Sequence, residues 1–212
     1  MQVLDLSHTI ENGMPVYPGT EAPLIETPVT IESDGFLEKR LRLFSHTGTH
    51  VDAPAHIIDG ASTLDQLMID TFSGKAFLID SSSTDRQIID VKELAAYTSH
   101  FEEMDFALIH TGWSAFWGQT KYFSGYPVLS APAAEWLTRF DLKGIGIDAC
   151  SFDAVDAVDY SIHQTLLNRG FILIENLTNL SGLPDVPFTF HCFPLKIKAA
   201  DGSPVRAVAM LA

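Results

Sequence analysis

The chain has 212 residues, 46% of them hydrophobic and 19% charged, a balance that excludes intrinsic disorder and suits one domain, residues 1–212, burying roughly 70% of its unfolded surface. With 27 acidic and 13 basic side chains the formal charge is −14, which repels phosphate backbones and anionic lipid, so neither nucleic acid nor a membrane is an expected partner. No apolar run approaches the ~20 residues of a bilayer span, the start at Met1 lacks a basic-then-apolar leader, and Cys150 and Cys192 form no CxxC pair, so the expected location is a reducing cytoplasm.

In chain order, β-rich runs bounded by Gly, Asp, Ser or Pro predict strands at 3–6, 36–44, 76–80, 106–110, 145–148 and 171–175. Helical patterns are fewer. They fall at 91–97, at 131–140 behind a Ser130 cap and Pro132, and at 160–168, ended by Gly170. The stretch 188–210 reads as two strands joined through Ala200-Asp201-Gly202-Ser203, where Asp-Gly suits a tight hairpin. No repeat, charge block or linker divides the chain, and the expected fold is α/β or α+β, a mixed sheet with flanking helices.

The segment SHTGTHVDAPAHII, residues 45–58, carries the chemistry, because it holds His46, His50, Asp52 and His56, three of the eight histidines among them. Their offsets are all even, so an extended backbone projects all four to one side, whereas a helix puts Asp52 about 120° from His46. Two imidazoles and a carboxylate converging on one point suit a borderline divalent metal with a coordination position left for water, which makes His46, His50 and Asp52 candidate ligands. His56 is either a further ligand or the general acid–base. A second pair, His163 near a helix start and Glu175 closing an apolar strand, can reach the same rim. Trp113, Phe116 and Trp117 are candidates for an aromatic wall beside a planar substrate.

These motifs resemble the cyclase family of metal-dependent hydrolases, which includes arylformamidases of the kynurenine formamidase kind and isatin hydrolases. HTGTHVDAPAH fits its HxGTHxDxPxH signature; DLSHTIENGMPVYPG at 5–19, GIDACSFD at 146–153 and GSPVRAV at 202–208 resemble its other conserved stretches. The resemblance implies a swivelling β/β/α domain, commonly a homodimer or larger. It implies that His46, His50 and Asp52 bind one metal, that Asp52 is shared with a second held by His163 and Glu175, and that His56 moves protons. It also implies hydrolysis of a small amide or ester carbonyl, arylformamidase-like, with one or two divalent ions per chain. Glu175 favours a two-zinc site over the manganese site of isatin-type lactam or lactone ring openers. Tyr17 stands where the formamidases carry Trp before Pro-Gly, making it a candidate substrate contact together with Trp113. A closed structural metal site in a binding protein is the non-enzymatic rival.

Overall fold

A computed structural model describes residues 1–82 and 87–211. In chain order its strands are β1 (Gln2–Asp5), β2 (Leu24–Val29), β3 (Glu38–Arg42), β4 (His50–Asp52), β5 (Ser73–Asp80), β6 (Ile88–Ile89), β7 (Phe106–His110), β8 (Val128–Leu129), β9 (Gly144–Ile147), β10 (Ile172–Glu175), β11 (Phe188–His191), β12 (Gly202–Pro204) and β13 (Val208–Leu211). Nine of these form one sheet in the order β1-β13-β11-β5-β7-β9-β10-β4-β12. The middle strands β5, β7, β9 and β10 are parallel, and antiparallel strands flank them on both sides.

The parallel centre follows from its sequence. Strands buried on both faces read as continuous apolar runs, as FALIH and ILIE do here. Alternation still sorts the side chains: Ala107 and Ile109 enter one core while Phe106 and Leu108 enter the other. The first core lies beneath the helices Ala131–Leu137 and Ser161–Asn168. The Ser130 side chain starts the earlier helix by accepting from the Ala133 N–H at 3.2 Å. This is the expected mixed sheet with flanking helices. No helix among the described residues is long and apolar enough to cross a membrane.

Two local expectations are corrected, and a third is met in an unexpected place. The 91–97 helix is α-helical only over Val91–Leu94 and tightens to a 3-10 turn at Ala95–Tyr97. The C-terminal stretch is no simple hairpin: β11 pairs with β5 and β13, while β12 crosses to the opposite edge of the sheet and pairs with β4. The 36–44 run becomes β3, which pairs only with β2 in a separate two-stranded ribbon, an arm that leaves Ile31, Phe36, Leu37 and Leu41 each more than half exposed.

Candidate active site

The signature segment is not one extended strand. Only His50–Asp52 is extended; His46 lies in a turn before Gly48, whose φ of +67° favours glycine, and His56 ends the 3-10 turn Pro54–His56. The side chains converge nonetheless. His46 Nδ1 lies 2.6 Å and His50 Nε2 3.3 Å from Asp52 Oδ1, and the two rings meet edge to face with centroids 5.0 Å apart.

Strand β10 brings the rest, since Glu175 pairs with His50 across the antiparallel ladder. Glu175 Oε2 is 3.5 Å from His50 Nε2, and Glu175 Oε1 is 3.1 Å from His163 Nε2. His163 is delivered by the helix Ser161–Asn168 and lies 3.7 Å from Asp52 Oδ2. All six expected residues thus surround one floor, and two triads, His46–Asp52–His56 and His50–Asp52–Glu175, present donor atoms within 4.8 Å of one another.

Each of three imidazoles is anchored by the ring nitrogen turned away from Asp52. His50 Nδ1–H donates to the Gly48 carbonyl at 2.8 Å, His163 Nδ1–H to Asp153 Oδ2 at 2.6 Å, and His46 Nε2–H to Asp201 Oδ2 at 2.9 Å. Such outer partners fix the ring and its free nitrogen. Asp153 and Asp201 are absent from the sequence-level candidates. Asp153 does stand in the GIDACSFD stretch, whereas Asp201 is hidden in a pair that reads as a turn.

The electrostatics demand positive charge at this floor. Burial by itself lowers the pKa of His50 and His163, but the carboxylates beside them, Asp52 and Glu175 for the first and Asp153 and Glu175 for the second, raise each to about 10. Burial likewise opposes ionisation of Asp52, yet His46 and His50 hold its carboxyl well below the usual range. Asp52 Oδ2 is nevertheless buried without a hydrogen-bond partner. A shared carboxylate with an orphaned oxygen, a second carboxylate and several oriented imidazoles fit a divalent cation. His56 differs: burial, with His46 and His163 nearby, outweighs Asp52 and lowers its pKa, so its ring is neutral at pH 7.

A cavity of about 310 Å³ opens over this floor, walled by Tyr17, Thr20, Ile57, Cys150 and Tyr160 beside His46, His56 and Glu175. Burial raises the Cys150 thiol to about 12, so it acts as an apolar wall and not as a nucleophile. Tyr17 donates to the Val155 carbonyl at 3.3 Å. Trp113 is not on this wall: its indole N–H donates to the Tyr122 carbonyl at 2.9 Å and its ring packs against the helix-side core. Trp117, stacked on His8 at 3.9 Å, lines an adjoining crevice with Tyr17 and His46.

The Cyclase family model matches residues 4–154. The kynurenine formamidase of Bacillus cytotoxicus is 32% identical over 206 residues, covering 97% of this chain and 95% of that protein. An uncharacterized protein of Methanocaldococcus jannaschii is 32% identical over 213 residues, the full length of both. Among solved structures, isatin hydrolase A from Ralstonia solanacearum superposes with a TM-score of 0.89 at 25% identity, covering 100% of this chain and 92% of that one. A predicted metal-dependent hydrolase from Bacillus stearothermophilus superposes with a TM-score of 0.82 at 28% identity, covering 98% and 97%. A family model spanning most of the sequence, relatives above 30% identity along its length and the shared fold together make this chain a member of the Cyclase family and a hydrolase.

Proposed function

We propose that the chain hydrolyses the C–N bond of an N-formyl arylamine of the N-formylkynurenine type, yielding formate and the free amine. One observation carries this reading: Asp52, orphaned at one oxygen, sits among imidazoles and Glu175 directly behind His46, His163 and Glu175, which line an open cavity. His46, His50 and Asp52 would hold one cation, and Asp52, His163 and Glu175 a second. Zinc suits this imidazole and carboxylate set. A bound cation supplies Lewis acidity, polarising the amide carbonyl and lowering the pKa of adjacent water from 15.7 toward ~7.

The rest falls to the chain's own groups. Water adds its oxygen to the acyl carbon, the C–N bond breaks, and a proton must reach the leaving nitrogen. His56 is neutral at pH 7 and has Nδ1 engaged by Asp201 at 3.3 Å, so its Nε2 accepts the proton from water and returns it to that nitrogen. Tyr17 and Tyr160 offer ring faces for an aryl group.

A second reading is manganese-dependent opening of a lactam or lactone ring, favoured by the likeness to isatin hydrolase A structures, one of which has a TM-score of 0.90. Elemental analysis of purified protein, run with N-formylkynurenine and isatin assays, separates the two. Zinc with formamide turnover is expected, and manganese with isatin turnover establishes the second reading. His56→Ala should keep its metal and lose at least ~100-fold in turnover. Metal-free protein with full activity overturns both.

The partner in solution is proposed to be a second copy of the chain. A two-stranded ribbon is marginally stable by itself, and the arm exposes Ile31, Phe36, Leu37 and Leu41, which a homodimer interface would cover. Sedimentation at micromolar concentration is expected to give a dimer or larger; a monomer overturns this. A cytoplasmic location is supported by Cys150 and Cys192, both free and buried.

A further inference from the structure

The orphaned carboxylate draws attention inward, but the same floor has an outer rim built from β12. The ladder pairs Gly202 with Asp52, and the Ala53 N–H donates to the Asp201 carbonyl at 2.8 Å, so the Asp201–Gly202 backbone is tied to the strand that carries the shared carboxylate. From there one oxygen, Asp201 Oδ2, accepts from two rings, His46 Nε2 at 2.9 Å and His56 Nδ1 at 3.3 Å. Those rings lie 3.9 Å apart between centroids.

Gly202 completes the seat. A Cβ added there would stand 2.5 Å from His46 Cε1, 2.7 Å from Nε2 and 3.0 Å from Nδ1, closer than packed atoms approach. Its backbone is not in the left-handed region, so the conformation accepts any residue. What the position requires is empty space for an imidazole.

We propose that Asp201 and Gly202 form a positioning element that joins the two functions of the floor. The Asp201 carboxylate holds His46 with Nδ1 turned to Asp52 and tethers His56 through the same oxygen, while Gly202 leaves room for the His46 ring. Neither residue lines the cavity above the floor. Asp201 acts through a cation-holding imidazole on one side and a proton-carrying imidazole on the other. This assignment rests on the proposed metal-dependent reaction and extends it to a pair whose sequence reads as a turn.

The test uses the full chain with Asp201→Ala, Asp201→Asn and Gly202→Ala. Stripped of metal, each is titrated with zinc in competition with a chromophoric chelator, then assayed for N-formylkynurenine hydrolysis at saturating zinc. Loss of an outer-shell partner predicts a 10–100-fold weaker zinc affinity for Asp201→Ala and Gly202→Ala, with Asp201→Asn, which keeps an acceptor, between them and the parent. At saturating zinc, kcat of Asp201→Ala should fall ~10-fold or more with KM within about twofold, because His56 has lost its tether. Parent-like zinc affinity and kcat in both Asp201 variants overturn the proposal, and weakened affinity with parent-like kcat overturns its His56 half. Should Gly202→Ala fail to fold by circular dichroism, the Asp201 variants decide. Should the parent chain bind no zinc and turn over no amide, the metal-dependent reading fails by itself. A crystal structure of metal-free Asp201→Ala then reads the seat directly: a His46 ring rotated away from Asp52 supports it, and an unmoved ring overturns it.

Discussion

The floor beneath the cavity and the β2–β3 arm break the usual distribution of residues in opposite senses. At the floor His50, Asp52, His163 and Glu175 are charged or ionisable and at most 5% exposed; on the arm Ile31, Phe36, Leu37 and Leu41 are large, apolar and at least 55% exposed. Folding by itself favours neither, since buried charge costs free energy unless paired and exposed apolar surface gains nothing. On the proposed reading, each region is a surface shaped for something outside the isolated chain. The first asks for compensating positive charge in a fixed geometry, the second for apolar cover with little geometric demand. That contrast explains why the floor is braced by named hydrogen bonds while the arm is held by a two-strand ladder and exposed ion pairs such as Arg40–Glu26 at 3.8 Å.

The contrast can be broken by substitution. The largest effect is expected for Asp52→Ala, which removes the group common to both triads: metal content should vanish and turnover fall roughly a thousandfold or more, the several kcal/mol such a cation supplies. Stoichiometric metal in that variant would show the floor is not the cation site. Next, zinc added to metal-stripped protein at about 100 times its Kd should stabilise the fold by about 2.7 kcal/mol, read as a rise of several degrees in Tm by scanning fluorimetry. Asp52→Ala should show no rise, and a rise of the same size there would place the ion elsewhere.

Smaller effects distinguish the sheet framework from the arm. Gly144→Ala, in the strand beside β10, puts a Cβ 2.6 Å from the Ile172 carbonyl oxygen and should cost about 1–3 kcal/mol in urea unfolding. The double variant Phe36→Ser/Leu41→Ser should shift the stability of the chain by no more than about 0.5 kcal/mol yet weaken self-association at least tenfold by analytical ultracentrifugation. A large loss of stability with unchanged association would make the arm an internal element instead of an interface.

The sequence was most legible where structure is decided locally. The run 106–110 is a strand over its full predicted length because an uninterrupted apolar segment bounded by polar residues fits only the sheet interior, and the Ser130 cap fixes a helix start that needs no distant partner. The candidate site residues stand out through density and chemistry, although their convergence arises differently: even spacing suggests one strand, while turns at Gly48 and Pro54 do much of the work. What stayed hidden depends on distant pairing. The Asp-Gly signal marks a bend correctly in kind, but nothing near it says that β12 joins β4 about 150 residues earlier, and so nothing marks Asp201 as a neighbour of His46. Asp153 lies only ten residues before its partner His163, but nothing in GIDACSFD says which of its two aspartates meets the ring delivered by the following helix. Trp113 shows the converse: an aromatic next to two others suggests a wall, but its one polar atom is spent on the Tyr122 carbonyl.

The path of residues 188–211, from β11 across to the far edge at β12 and back to β13 beside β1, has a kinetic consequence. Closing loops of this length precedes any reward from the contacts they make, so such topologies fold slowly. The segment 45–58 cannot seat His46 and His56 by local collapse, because Asp201 reaches them only when β12 pairs with β4. In stopped-flow refolding with a zinc-sensitive dye, ion capture is expected in the slowest phase, after helical signal has recovered; capture in the earliest phase would mean the late-arriving strand is dispensable.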